Sequence, residues 1–355
     1  MTKHSDLPYL NAINTFTQGK IGALEHIYDK FKGDWKSAWQ NNLLAFAPKT
    51  DTLVPQRKLS PQQLWRPIEK ERINIIIRHD GAFPKSLLTI HEPPFLLYCR
   101  GSSETWRNDC LAIVGTRRLT EYGKRAARQI TQGLAGSGLT IVSGLAFGAD
   151  TIALETAVEC GLKTIAVLGG GIDDATLYPP SNLKLAHRII ETGGAIIGEY
   201  APGQHATPFS FPHRNRLISG LSKATFVIEA DIKSGSLITA RFAGQQGKDL
   251  MAVPGPITSK TSEGTNYLIK QGAALITDAD DILDALHISR ARNPEDIKPA
   301  NTSEASVLKA LAQGPLSIDE LAAATGLDLG TLNSTLIMME LSRKIKSTPS
   351  NKFSL

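Results

Sequence analysis

Thr140-Ile-Val-Ser-Gly-Leu-Ala-Phe-Gly-Ala-Asp150, running on to Cys160, contains the repeating unit of this chain. Thr140–Ser143 is a short apolar run of strand character, Ser143–Gly148 a glycine-rich loop, and Ala149–Cys160 a helical stretch. A strand that is apolar throughout, without polar alternation, belongs in a parallel sheet covered on both faces. The same unit spreads outward in both directions. Strand-like runs recur at Leu111–Gly115, Thr164–Leu168, Ala195–Gly198, Thr225–Glu229, Asp249–Val253 and Ala274–Ile276. Helical segments separate most of them, at Glu121–Ser137, Asn182–Glu191, Ser236–Gln246 and Asn266–Gln271. This alternation predicts an α/β core, a Rossmann-like doubly wound and mostly parallel sheet. The span Leu111–Leu286 is too short for the eight units of a closed barrel.

The flanks have other textures. Ile21, Leu24, Ile27, Tyr28 and Phe31 recur at helical spacing, and Trp35 and Trp39 are four apart, so the N-terminal stretch reads as a small helical domain. Ala47–Pro61, with three prolines, reads as a linker. Ser60-Pro61 starts the next helix, with serine as N-cap and proline at the first position. Ile73–Ile77 and Pro94–Cys99 read as two further strands. Residues 289–303 read as a second linker. Beyond it, helices at Glu304–Gln313, Ser317–Thr325 and Asp328–Ser342 precede a short basic hairpin, the parts of a winged helix; Ser317 with Glu320 is a capping-box signature. The expected division is 1–60 for the helical domain and its linker, 61–288 for the core, 289–303 for the second linker and 304–355 for the winged helix.

The chain has 355 residues, enough for two or three domains, and 41% of them are hydrophobic, ordinary for a globular protein. Its net charge of +5 mildly favours an anionic partner. Cys99, Cys110 and Cys160 have no metal-ligand spacing and read as buried structural thiols of a reducing compartment. The N-terminus shows no signal-peptide pattern, and no apolar run is long enough to span a bilayer. A cytoplasmic protein without membrane partners is expected.

In open parallel sheets, ligands bind beyond the carboxyl ends of the strands. Those positions hold Gly115-Thr-Arg-Arg118, Ser143-Gly-Leu-Ala-Phe-Gly148, Gly169-Gly-Gly171, Gly198-Glu-Tyr200, Lys233-Ser-Gly-Ser236 and Pro254-Gly-Pro256. Glycine admits a ligand close to the main chain, and free N–H groups at helix starts favour anions. Any one such loop is most simply a tight turn. Several on one edge, joined by Arg117, Arg118, Lys184, Arg214 and Arg216, form a phosphate-binding surface. Phe211-Pro-His-Arg-Asn-Arg-Leu-Ile-Ser-Gly-Leu-Ser222 holds the densest part of it, with Phe211–Arg216 read as a basic loop and Asn215 between two arginines. Tyr122, Phe147, Tyr178, Phe209 and Phe211 lie among the cations. Cation plus stacking surface suits single-stranded nucleic acid. Phe211 is read equally as stacking residue and loop anchor; Phe147, within a loop of the binding edge, reads first as a core anchor.

Enzyme signatures are missing from the sequence. It has no G-x-G-x-x-G after a strand, no Walker loop and no G-x-S-x-G elbow, and His91-Glu92 runs into prolines rather than a zinc-binding helix. Asp150, Asp173, Asp174, Glu199 and Glu229 fall near strand ends, where they read as helix caps and partners for the arginines. No metal or cofactor is expected.

These loops closely resemble the DNA-processing protein A family (DprA, also called Smf). The resemblance is carried by Val114-Gly-Thr-Arg117 with Tyr122-Gly123, Ser143–Asp150, Val167-Leu-Gly-Gly-Gly-Ile-Asp173, Tyr178-Pro-Pro-Ser-Asn182, Phe211–Ser222, Ser234-Gly-Ser-Leu-Ile-Thr-Ala240 and Ala252-Val-Pro-Gly255. Phe83–Leu87, Pro93–Tyr98 and Gly264–Ala273 also resemble the family, so the likeness covers about 80 to 280. It implies a Rossmann-like DNA-binding core, a small helical (SAM-like) domain before it and a winged helix after it. It implies a non-catalytic protein of natural transformation that binds and protects incoming single-stranded DNA, dimerises through its core and helps load the RecA recombinase. Arg117 falls where the family has a DNA-contacting arginine. Arg118, Ser143, Gly144, Phe147, Gly148, Lys184, Phe211, Arg214, Asn215, Arg216, Ser234, Gly235 and Ser236 fall on the binding face. Leu154 stands where the family has a histidine and Ala149 where it has isoleucine, and the loop Asp173–Tyr178 is longer than usual.

Two other readings compete. A nucleotide sensor or nucleotide hydrolase would use the same cleft, but related hydrolases carry Pro-Gly-Gly-x-Gly-Thr-x-x-Glu where this chain has Ser234-Gly-Ser-Leu-Ile-Thr239, without the glutamate. A transcription regulator would read duplex DNA through the winged helix. Leu327–Leu341, its recognition helix, is apolar with two acids and no base. That composition predicts a docking or core-facing role, with only Arg343, Lys344, Lys346 and Lys352 near nucleic acid.

Overall fold

The computed structural model describes residues 4–41, 59–288, 297–342, 344–347 and 352–355. Most of both expected linkers, and Arg343, lie outside these residues. Met1–Ile288 forms one compact unit and Ser289–Leu355 a second.

The first unit is built on nine strands: β1 (Asn74–Ile77), β2 (Leu96–Gly101), β3 (Cys110–Val114), β4 (Thr140–Ser143), β5 (Lys163–Leu168), β6 (Ala195–Gly198), β7 (Ala224–Val227), β8 (Asp249–Ala252) and β9 (Ala274–Leu275). They form one sheet in the order β1-β2-β6-β5-β4-β3-β7-β8-β9. From β6 across to β9 all pairs are parallel. β2 runs antiparallel to both β1 and β6. The central strands are buried along their length: every residue of β3, β4 and β7 is inaccessible, as continuous apolar runs covered on both faces require.

Fourteen helices are described in the two units: α1 (Leu7–Thr17), α2 (Ile21–Phe31), α3 (Trp35–Gln40), α4 (Pro61–Lys70), α5 (Glu121–Gly133), α6 (Ala149–Glu159), α7 (Leu183–Glu191), α8 (Ser210–Leu221), α9 (Ser236–Gln245), α10 (Lys260–Lys270), α11 (Ala279–Ala285), α12 (Thr302–Leu311), α13 (Ile318–Thr325) and α14 (Leu329–Leu341). One apolar cluster on one face of the sheet includes Ile113, Ile130, Ala153 and Phe226. A second, including Val114, Val142, Val167 and Leu217, fills the other face. The sheet is therefore doubly wound. Its order reverses between β3 and β7: connections on one side lead β3 to β6, those on the other lead β7 to β9. Loops after β3 and β7 part at this point and leave a crevice at the carboxyl edge.

Two helices depart from the sequence reading. Residues 279–285 form α11, which no expectation covered. Phe211–Arg216, read as a basic loop, lies wholly in α8. Pro212 does not prevent this, because in the first turn its missing N–H would have had no helical partner.

α1 to α4 form the N-terminal bundle, around Leu10, Ile13, Leu24, Ile27, Trp35 and Ile68. Ser60 caps α4, accepting from Gln63 N–H, while the Gln63 side chain accepts from Ser60 N–H. The bundle is joined to the core by buried polar contacts. Asn14 Nδ2 donates to Glu199 O at 3.0 Å, and Tyr98 Oη donates to Asn11 Oδ1 at 2.8 Å.

Cys99 and Cys110 are buried, and Cys160 is half-buried. Leu154 is fully buried within the cluster that also holds Leu168 and Ile189, so the position is filled by packing and carries no proton. No helix among the described residues is long and apolar enough to cross a membrane.

In the second unit α12, α13 and α14 enclose Val307, Leu311, Leu321, Leu332, Leu336 and Met339. β10 (Lys346–Ser347) pairs antiparallel with β11 (Phe353–Ser354), completing a winged helix. Ser317 and Glu320 form the reciprocal cap of α13. α14 presents Leu329, Ile337, Met338 and Leu341 on its accessible face.

Candidate nucleic-acid interface

The crevice at the strand-order reversal is a cleft of about 600 Å³ lined by Thr116, Arg117, Arg118, Phe211, Arg214, Asn215, Ser234, Gly235 and Ser236, among others. Each wall is fixed by its own chemistry. The β3–α5 loop is held from below by Glu229, which accepts from Thr120 N–H at 2.8 Å and from Thr120 Oγ1 at 2.6 Å. Gly123 is required there, since a Cβ would come within 2.3 Å of the Glu229 carboxylate. Gly148 has φ +77°, and its missing Cβ leaves room for Thr116 O and the Arg117 main chain. So anchored, the loop turns Arg117 and Arg118 outward, and both are exposed.

The opposite wall is the first turn of α9. Gly235 precedes it without a side-chain cap, and Ser234 Oγ and Ser236 Oγ are 2.8 Å apart. Asn215 Nδ2 donates to Gly235 O at 3.3 Å, tying α8 to this turn.

The floor is α8. Arg214 is only 4% exposed and donates through Nη1 to Gly144 O at 2.8 Å and to Val167 O. Gly144 makes this possible, because a Cβ there would lie 2.6 Å from the guanidinium. Burial draws the Arg214 pKa down to about 10, with Arg117 adding to the effect and Asp150 opposing it. The group therefore stays cationic at neutral pH. Asp150 accepts from Gly144 N–H at 3.0 Å and Ala146 N–H at 3.3 Å. Its pKa is raised by burial, against the pull of Arg214 and these N–H groups.

At the rim the Arg117 guanidinium lies 5.2 Å over the Phe211 ring. Phe211 packs against Tyr178 at 5.7 Å between ring centres, and Tyr178 against Phe147 at 6.5 Å. Tyr178 and Phe147 are both about half accessible, at 45% and 44%. A row of three aromatic rings with a cation at one end thus borders the cleft.

The expected site residues divide into three groups. Arg117, Arg118, Phe211, Arg214, Asn215, Ser234, Gly235 and Ser236 share the cleft. Phe147 and Lys184 are exposed beside it: Lys184 is in the first turn of α7, just past Asn182, whose amide donates to Leu145 O at 2.9 Å. Phe147 corrects the expectation of a core anchor. Ser143, Gly144 and Arg216 are buried and do not offer a surface. Ser143 Oγ donates to Ile113 O at 2.6 Å. Gly148, half-buried, serves the turn.

Arg216 is the clearest correction. It is 2% exposed and donates through Nη2 to Glu199 at 2.6 Å. Its Nε and Nη1 have no hydrogen-bond partner, and Glu199 Oε2 has only His213 Nδ1, at 3.7 Å. In a loop, Arg214 and Arg216 would both reach the surface; in a helix packed on several sides they end on interior carbonyls and a carboxylate. Tyr178 was visible in the sequence as an aromatic residue near cations, but its place between Phe147 and Phe211 depends on a long-range contact. Among the described residues, no group of three His, Cys, Asp or Glu side chains is arranged to hold a metal.

The model of DNA recombination-mediator protein A matches residues 74–287, and that of the DprA winged helix domain matches residues 291–351. The chain belongs to the DNA recombination-mediator protein A family. Protein Smf of Escherichia coli is 39% identical over 232 residues, 65% of this chain and 61% of that protein. The chain thus spans less than two thirds of that relative. DNA processing protein DprA of Streptococcus pneumoniae is 40% identical over 204 residues, 58% of this chain and 71% of the relative. Among solved structures, the S. pneumoniae protein superposes with a TM-score of 0.64 at 31% identity, covering 80% of this chain and 98% of that one. DNA processing protein A from Helicobacter pylori, described for its single-stranded DNA binding mode, gives 0.55 at 33% identity, covering 61% and 96%.

Proposed function

We propose that the chain binds single-stranded DNA in the cleft, without sequence preference and without cutting it. The observation that carries this reading is the joined set Arg117, Phe211, Tyr178 and Phe147 beside a floor charged by Arg214. Phosphates meet Arg117, Arg118 and the hydroxyls of Ser234 and Ser236; bases stack on the aromatic row. Stacking of this kind contributes about 1–3 kcal/mol per base. The description of the H. pylori relative supports the choice of ligand.

The non-catalytic reading rests on the acids. Asp150 is engaged by Gly144 and Ala146 N–H, and Glu229 by Thr120 and, at 3.2 Å, Thr261 Oγ1. Asp150 borders the cleft, but its carboxylate is taken up by these N–H groups. A role in natural transformation in the cytoplasm, protecting incoming strands and helping to load the RecA recombinase, rests on family membership. A homodimer has some support from the end of the sheet, where Ile257, Tyr267 and Leu275 are exposed around the short edge strand β9.

The test is a titration of single- and double-stranded oligonucleotides at two salt concentrations, with free nucleotide as competitor. Preferential, salt-sensitive binding of the single strand is expected. Displacement by mononucleotide, with release of free base, would favour the nucleotide hydrolase instead.

A further inference from the structure

A second groove adjoins the cleft. It has a volume of about 930 Å³ and lies between the N-terminal bundle and the core. Lys20, Tyr200, His205, Phe209 and His213 line it, with Glu92 as the acid among its lining residues. Pro208 lines both this groove and the Arg117 cleft, so the two depressions adjoin at that residue.

Phe209 is 88% exposed at the mouth of the groove. A phenylalanine so bare contributes nothing to the core. It immediately precedes α8, whose next aromatic residue, Phe211, faces the first cleft. Two rings on one short segment therefore serve two adjacent depressions. The groove is also preformed. Besides the Asn14 and Tyr98 contacts, Gln204 Nε2 donates to Thr15 O at 3.2 Å, fixing the bundle against the core on its far wall.

We infer that the bound strand continues from the Arg117 cleft over Pro208 into this groove, where a base stacks on Phe209 and the N-terminal bundle becomes part of the DNA path. The inference rests on the single-strand reading of the first cleft. The charges give it a distinctive character. Among the lining residues one lysine, Lys20, stands with one carboxylate, Glu92, and Glu92 lies 3.7 Å from His213 Nε2. The groove thus has little net charge, and stacking rather than phosphate contact supplies its affinity. Binding there adds little to the salt dependence.

The experiment compares the full chain and Phe209→Ala on thymidine oligonucleotides of about 6 and about 20 residues, a span set by the usual site sizes of single-strand binders. A photoreactive halogenated base placed along the long strand reports its position. For the wild-type chain the long strand is expected to bind more tightly than the short. Phe209→Ala should lose about tenfold on the long strand and nothing on the short, with an unchanged salt slope. Crosslinks should fall on the segment around Tyr200 and Phe209. Equal affinity of Phe209→Ala and wild type for the long strand, together with no crosslink to that segment, overturns the extension while leaving the first cleft intact. Failure of the wild type to bind either strand overturns both. Phe209 is exposed, so its truncation leaves the fold unchanged, and a melting curve checks this.

Discussion

The Arg117 guanidinium lies 5.2 Å over the ring of Phe211, although Arg117 belongs to the β3–α5 loop and Phe211 to the first turn of α8. The contact holds an exposed cation at the end of the aromatic row. Phosphate attraction and base stacking are thereby combined at one point. Arg117→Ala is expected to weaken binding of every single-stranded sequence alike and to lower the salt slope by roughly 0.7, the contribution of one single-strand phosphate. Arg117→Lys should restore the slope but only part of the affinity, since an ammonium lacks the planar face that stacks on Phe211. Anisotropy titrations across salt concentrations separate the two effects.

Phe147 and Tyr178 extend the row. Replacing either with alanine is expected to cost about 1–3 kcal/mol of binding if a base rests on it. Tyr178→Phe should be neutral, because the ring and not the hydroxyl carries the interaction. A loss in Tyr178→Phe equal to that in Tyr178→Ala would assign the role to a hydrogen bond instead.

Arg216 separates folding from binding. Its removal leaves Glu199 buried without a counter-charge, and Arg216→Ala is expected to destabilise the fold by about 3–5 kcal/mol. Because Arg216 Nε and Nη1 already have no hydrogen-bond partners, the double change Arg216→Met with Glu199→Leu should recover most of that loss. Single-strand affinity of the folded protein should change in neither case. Chemical denaturation and titration on the same samples check both statements.

His213 makes the first unit sensitive to acid. Burial lowers its pKa, Arg216 lowers it further, and Glu199 and Glu92 only partly oppose them. Below its unfolded value, about 6.5, the unfolded chain takes up a proton that the folded one resists. The stabilisation is therefore complete above about pH 6.5 and declines as pH falls towards the lower, folded value. His213→Gln is expected to lose less melting temperature than the wild type between neutral pH and about pH 5.5. Parallel melting curves that shift equally would exclude His213 as the cause.

Most of the core was readable because its strands are short apolar runs, and those of β3 to β6 end in or run straight into a glycine, Gly115, Gly144, Gly169 and Gly198. Thr140–Ser143 and Ala195–Gly198 match β4 and β6 residue for residue, and Ser236–Gln246 exceeds α9 by one. Arg117, Arg118 and Ser234–Ser236 were readable for the same reason: each follows a strand on the ligand-binding edge. α8 was not. Its sequence places arginines at two positions that the fold buries, so charge density resembled a surface loop. The partners that make the burial tolerable, Gly144 O, Val167 O and Glu199, come from other elements. Phe147 was misjudged in the opposite direction, because nothing local distinguishes a ring that fills a core from one that borders a cleft.

The central claim is that guanidinium groups on the β3–α5 loop hold the phosphates of a single strand. The most direct measurement is the salt dependence of single-strand affinity for the wild type and for Arg117→Ala with Arg118→Ala. The account predicts a shallower slope in the double variant, by about 1.4 if each arginine meets one phosphate, with an unchanged melting temperature. An unchanged slope in the folded double variant would contradict it.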